Sequence, residues 1–196
     1  MIRLTEDDTG VVESIEAGPH ILDSGDRTEF ESGAVRDMRE GKGRCDLLPM
    51  EVVAGLLRDP ILYDICDFQR TGETKSLYTA IDRFSTHWMD EIVKDKLGSC
   101  TDEEREVIET ATYAEMCLDV AKHFEEGAKK YGDNNWRRGI PVHVYIDSAV
   151  RHYLKYLATW EDEPHDRAFV WNLMCCIWTC INKPELNDYA AKKGVN

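Results

Sequence analysis

Apolar positions recur every three to four residues along most of this chain, the spacing of helices that each bury one face. The pattern is densest from Thr112 to Cys176, where three consecutive helices are predicted: TYAEMCLDVAKHFEEGAKKYG, VYIDSAVRHYLKYLATW and EPHDRAFVWNLMCCIWTCI. A turn-rich connector, GDNNWRRGIP, separates the first two. Upstream, MEVVAGLLRDPILYDICDF reads as helix interrupted at Asp59-Pro60, because proline disfavours a helical residue before it. Gln69 to Lys75 is a polar loop, and Leu77 to Leu97 reads as helix, with Ile81, Phe84, Trp88, Ile92 and Val93 at helical spacing. Thr101 and Glu104 form a capping-box signature that opens a helix running to about Lys130, with Gly132 as its stop. Strand-like alternation persists nowhere, so the predicted fold class is all-α, a helical bundle.

Turning each helix by about 100° per residue separates inward from outward positions. On the first, Tyr113, Cys117, Val120, Phe124, Ala128 and Tyr131 form the expected apolar stripe. Glu115, Asp119 and Glu126 point away into solvent, while Glu125 sits on the stripe's edge. On the second, Ile146, Ala149, Val150, Tyr153, Leu154 and Leu157 face inward, and Asp147 lies on the border, one turn before Arg151. On the third, Trp171, Met174, Cys175 and Trp178 are core, and His165 and Asn172 share an edge. Each of these polar residues has an ordinary explanation. Pro164 suits a first helical turn, Glu161, Asp162 and Glu163 suit the helix dipole, and Asp147 suits an ion pair with Arg151 at i+4. Their convergence on one bundle instead suggests an acidic, metal-binding pocket.

Charge narrows the function. The 196 residues carry a formal charge of -14 with a pI near 4.8, which argues against a nucleic-acid-binding surface. The opening MIRLTEDDTG is polar and unlike a signal peptide, and the apolar run from Ala168 to Ile181 is too short to span a bilayer, so no membrane partner is expected. Seven cysteines without CxxC spacing suit reduced thiols in a cytoplasm. Residues 1–49 read as an irregular arm. Its DSGDRTEFESGAVRDMREGKGRCDLLP segment has alternating charge and frequent glycine, either a solvated loop or an arm bringing Arg36, Lys42 and Arg44 to an anionic ligand. Residues 50–196 read as the helical bundle.

That arm segment, together with HFEEGAKKYGDNNWRRGIP, DSAVRH and the EDEPH and WN elements, resembles the phage dATP/dGTP diphosphohydrolase family (MazZ), a branch of the MazG-like all-α nucleotide pyrophosphohydrolases. The resemblance spans roughly residues 23–49 and 119–176, which implies that 50–196 is the catalytic bundle and that the stretch from about 59 to 110, between the two blocks, is an insertion. It implies hydrolysis of a purine deoxynucleoside triphosphate to the monophosphate and pyrophosphate with Mg²⁺, or Mn²⁺, as cofactor. In phages that carry 2-aminoadenine, such an enzyme removes dATP and supplies dGMP. The chain departs from the MazG-like pattern in one respect. Glu163 and Asp166 fit its ExxD element, but no ExxE lies at the usual distance upstream.

The metal candidates are therefore Glu125, Asp147 and Glu163, followed by Asp162 and Asp166. Carboxylates of this kind would clamp Mg²⁺ ions on the phosphates and activate a water. Lys42, Arg44, Lys129, Lys130 and Arg151 are candidates for the phosphates, and Tyr131 and Trp136 for stacking on the purine. His165, counted with the catalytic set, and Asn172 are candidates to position water or touch sugar or base; Asn135 completes the substrate-binding set. Phe84 and Trp88 in the insertion suggest an exposed aromatic surface and a homo-oligomer, dimer or tetramer. The competing readings are a non-catalytic helical module that binds a nucleotide or a protein, and a phosphohydrolase releasing phosphate or triphosphate.

Overall fold

A computed structural model describes residues 25–38, 40–89 and 91–189. The expected irregular arm over residues 1–24 lies outside the described residues. Among the described residues, seven α-helices follow a small hairpin: α1 (Met50–Leu57), α2 (Pro60–Thr71), α3 (Lys75–Ser85), α4 (Glu91–Lys96), α5 (Asp102–Tyr131), α6 (Val142–Leu157) and α7 (His165–Asn182). The fold is all-α.

The centre of the molecule is α6. Val142 and every residue from Val144 to Val150 are buried, so this helix is enclosed on nearly all sides. It packs most extensively on α7, itself buried from Ala168 to Leu173. The α2–α3 pair joins the same core through Ile65, Phe68, Leu77 and Phe84. Residues 59–89 thus share the bundle's core.

Local chemistry sets the helix ends. Thr101 Oγ1 accepts the Glu104 N–H at 3.2 Å while Glu104 Oε2 accepts the Thr101 N–H at 2.8 Å, the capping box expected at the start of α5. The break at Asp59-Pro60 is also as expected, and Asp59 has a second duty. Its Oδ1 caps α2 by accepting the Ile61 and Leu62 N–H groups at 2.9 and 3.0 Å, and its Oδ2 accepts the Tyr153 hydroxyl of α6 at 2.8 Å.

Five expectations need correction. The helix predicted from Leu77 to Leu97 ends at Ser85 and passes through a 3₁₀ turn, Thr86–Trp88, before α4. The Ser85 and Thr86 hydroxyls bond back to the Asp82 and Arg83 carbonyls at 2.7 and 3.1 Å, which competes with helix continuation. Phe84 is buried and Trp88 packs edge-on against it at 5.7 Å, so this pair serves the core and is not an exposed aromatic surface. The stripe on α5 is rotated by one residue: Thr112, Met116, Val120 and His123 are buried, and Cys117 is exposed. Leu157, expected inward on α6, is exposed. The arm segment, read as loop, contains an antiparallel hairpin of β1 (Arg27–Glu29) and β2 (Val35–Asp37).

Asp59→Ala removes both the cap and the bond to Tyr153, and about 2 kcal/mol of destabilisation is expected. Tyr153→Phe, which loses only the cross-helix bond, is expected to cost about half as much. Urea unfolding of both variants checks this; equal costs would show that the cap contributes nothing.

Candidate active site

Two segments far apart in sequence are fastened around α6. The Cys45 N–H donates to Asp147 Oδ1 at 2.7 Å, and Arg151 Nη1 donates to Asp147 Oδ2 at 3.1 Å and to the Gly43 carbonyl at 3.3 Å. The Asp147 carboxylate is fully buried, so these bonds replace the water it loses. GKGRC and DSAVRH, read separately in the sequence, therefore meet. The hairpin is held in the same manner. Asn135 Nδ2 donates to the Val35 carbonyl at 2.7 Å and its Oδ1 accepts the Val35 N–H at 2.8 Å, so a side-chain amide pairs with β2 as a strand would. Arg138 donates to the Gly33 carbonyl at 3.0 Å, and Ser32 Oγ donates to the Gly139 carbonyl.

Between hairpin, α5, connector and α6–α7 lies a cavity of about 1110 Å³, ample for a nucleoside triphosphate. Part of its wall is aromatic: Phe124 packs on Trp136 at 5.4 Å and on Trp171 at 5.7 Å between ring centres. Arg36 lies over the Tyr145 and Trp171 rings, at 5.2 and 5.4 Å, and donates to Asn172 Oδ1 at 3.0 Å. Arg151, Lys155 and Lys42 supply positive charge to the lining of a strongly acidic protein.

At the α6–α7 turn His152 Nδ1 lies 3.1 Å from His165 Nδ1. Glu163 Oε1 is 3.6 Å from the former and 3.8 Å from the latter. Asp162 Oδ1 meets His165 Nε2 at 2.8 Å, and Lys155 Nζ meets Asp162 Oδ2 at 2.8 Å. Burial, with the nearby His123 and Arg151, holds His152 well below the ordinary imidazole range, in its neutral form. The Lys155 ammonium, helped by His165, holds the Asp162 carboxyl below the usual range.

The candidates distribute unevenly. Glu163, Glu125, Lys42, Tyr131, Trp136 and Arg151 line the cavity, as do Asn135 and Asn172. Glu125 is exposed and bonded to Lys129 at 2.5 Å. Asp147 is committed to Cys45 and Arg151, and Arg44 to Asp46 through two bonds of 2.7 and 2.6 Å. Lys130 bonds Asp37 at 3.1 Å. Asp166 accepts the Arg167 N–H at 2.7 Å and faces His87 at 3.1 Å. Glu126, expected in solvent, instead accepts Arg167 Nη2 at 2.8 Å. Sequence reading missed Arg167 and above all His152; Arg36, read as a cation for an anionic ligand, lies over the Tyr145 and Trp171 rings and bonds Asn172. The available signal for His152 was a second histidine across the turn from His165, immediately after Arg151.

A Mg²⁺ ion prefers oxygen ligands in octahedral array. Among the described residues, the donor group close enough to share an ion is His152, Glu163 and His165, two imidazoles and one carboxylate. Asp147, Asp162 and Asp166 each have bonds of their own within the protein, so the residues present do not fit the carboxylate cage expected for Mg²⁺.

Burial, reinforced by Arg167, pushes the His123 imidazole down to about 3. The unfolded imidazole protonates near 6.5, so the unfolded chain binds more protons in between and stability falls as pH drops through that window. One such group contributes a slope of up to about 1.4 kcal/mol per pH unit, and His152 acts in the same direction. His123→Phe, placed against Trp171, is expected to flatten the acid limb of stability measured by urea unfolding from pH 7 to 4. An unchanged slope would contradict the assignment.

Among the described residues, no helix is long and apolar enough to cross a membrane. No curated protein and no solved structure matches the chain. Residues 98–189 match the family model described as dATP/dGTP diphosphohydrolase, N-terminal. The matched stretch holds α5 to α7, the connector and the His152, Glu163 and His165 group. This similarity, over just under half of the chain, supports the dATP/dGTP diphosphohydrolase family and a nucleotide pyrophosphohydrolase activity for the protein.

Proposed function

We propose that this enzyme hydrolyses purine deoxynucleoside triphosphates, dATP and dGTP, to the monophosphate and pyrophosphate in nucleotide-pool metabolism. The carrying observation is the cavity itself. It combines an aromatic wall, a set of cations and the polar α6–α7 turn, and apart from Lys42 and the hairpin side its lining lies in the stretch matched to the family. A purine stacked on Trp136 or Trp171 would leave its phosphates to Arg151, Lys155 and Lys42. Arg151 and Lys155 are held by Asp147 and Asp162 before the substrate arrives, so they stabilise charge growing on the phosphoryl oxygens without reorganising. Water attacks the α-phosphorus, the bond from that phosphorus to the bridging oxygen breaks, and pyrophosphate leaves. The triphosphate arrives with its divalent counter-ion, so the reaction is expected to need a divalent metal.

The reading extends to the cytoplasm, where such triphosphates are used, and to a homo-oligomer. Exposed Val52 and Leu56 on α1 support the latter. Light scattering is expected to give a multiple of the 22.5 kDa chain mass; a single chain mass would contradict it.

The direct test is incubation with each common dNTP and a divalent metal, followed by chromatography. Monophosphate and pyrophosphate from dATP and dGTP are expected; release of phosphate or triphosphate, or no turnover, would overturn the reading. Trp136→Ala is expected to raise KM for dGTP about tenfold, the loss of one stacking partner, with kcat within about twofold. A fall in kcat at constant KM would place Trp136 elsewhere in the reaction.

A further inference from the structure

The disagreement between the expected Mg²⁺ cage and the donors present has a positive side. We propose that His152, His165 and Glu163 form a binding site for a late first-row transition-metal ion, of the Zn²⁺, Co²⁺, Ni²⁺ or Fe²⁺ class, with Asp162 orienting His165 from behind. Two donors each about 2.1 Å from a tetrahedral ion stand about 3.4 Å apart. The three separations here, 3.1, 3.6 and 3.8 Å, bracket that value. Imidazole nitrogen selects this class of ion, whereas Mg²⁺ favours an all-oxygen set. Two histidines and one carboxylate also leave coordination positions open, as catalytic rather than structural sites do. His152 and Glu163 line the cavity, so those positions are available to a water or a phosphate oxygen.

The hydrogen bonding supports the same assignment. With Asp162 accepting from His165 Nε2, the lone pair of His165 lies on Nδ1, facing His152. Without metal, His152 Nδ1–H donates to that lone pair. When an ion enters, the His152 proton moves to Nε2 and both Nδ1 atoms turn lone pairs to the metal, with no net change in protonation. Lys155, bonded to Asp162 and 3.8 Å from Glu163, anchors the two carboxylates.

This inference rests on the proposed function for the site's role but not for its occupancy, so the test reads binding as well as turnover. Full-length protein is stripped with a chelator, dialysed and titrated with Co²⁺, following the visible absorption bands and the stoichiometry. One Co²⁺ per chain is expected, displaced by Zn²⁺ but not by millimolar Mg²⁺. Glu163→Gln and His152→Ala are each expected to weaken binding at least about 100-fold. Asp162→Asn is expected to weaken it about tenfold, the scale of a lost outer partner. Circular dichroism confirms folding, and Glu163→Gln, which keeps its shape in a half-buried loop, decides the matter if His152→Ala does not fold. The proposal is overturned if the wild type binds no Co²⁺ at micromolar concentration, if binding survives Glu163→Gln in the folded protein, or if Mg²⁺ displaces Co²⁺ at equal concentration. Turnover with Mg²⁺ but no Co²⁺ binding would sink this site and leave the proposed function standing. Tight Co²⁺ binding without turnover of any dNTP would do the reverse.

Discussion

A carboxylate with no access to water must find its hydrogen bonds inside the protein, and Asp147 finds them in the Cys45 N–H and the Arg151 guanidinium. That requirement welds the segment around Gly43–Cys45 to the most enclosed helix of the bundle. Asn135 performs the neutral counterpart, pairing with β2 through both ends of its amide. Together they seat the hairpin over α6. Only then do Lys42, Arg36 and the hairpin backbone become walls of a cavity whose other side is α5 and α7.

Seen this way, the polar residues divide by distance from the cavity's working surface. Asp147, Asn135, Arg138 and Asp59 hold elements together. His152, Glu163, Arg151 and Lys155 remain at the surface where phosphates and metal would lie. The stretch similar to the diphosphohydrolase family also holds the His152–Glu163–His165 group.

Much of the fold was legible because helices declare themselves locally. The capping box at Thr101, the break at Asp59-Pro60 and the stop at Gly132 are set by groups a few residues apart. The hairpin was not legible, since strands of three residues are too short for an alternating pattern to emerge. The α5 stripe was misplaced by one residue because two polar groups lie on the buried side: Thr112 bonds back to the Ile108 carbonyl at 2.8 Å, and His123 packs on Trp171. That rotation of about 100° also exchanged the roles expected for Glu125 and Glu126. Of the candidate site, Glu163 and His165 were named from the third helix alone. Their partner His152 needed the antiparallel packing of α6 on α7, which no local spacing encodes.

The most direct measurement is a crystal structure of the full-length protein with the slowly hydrolysed analogue α,β-imido-dGTP. The account predicts the purine against Trp136 and Trp171, and the phosphates running to the α6–α7 turn beside Arg151 and Lys155. An analogue bound elsewhere, or lying with its phosphates at the aromatic wall, would contradict it.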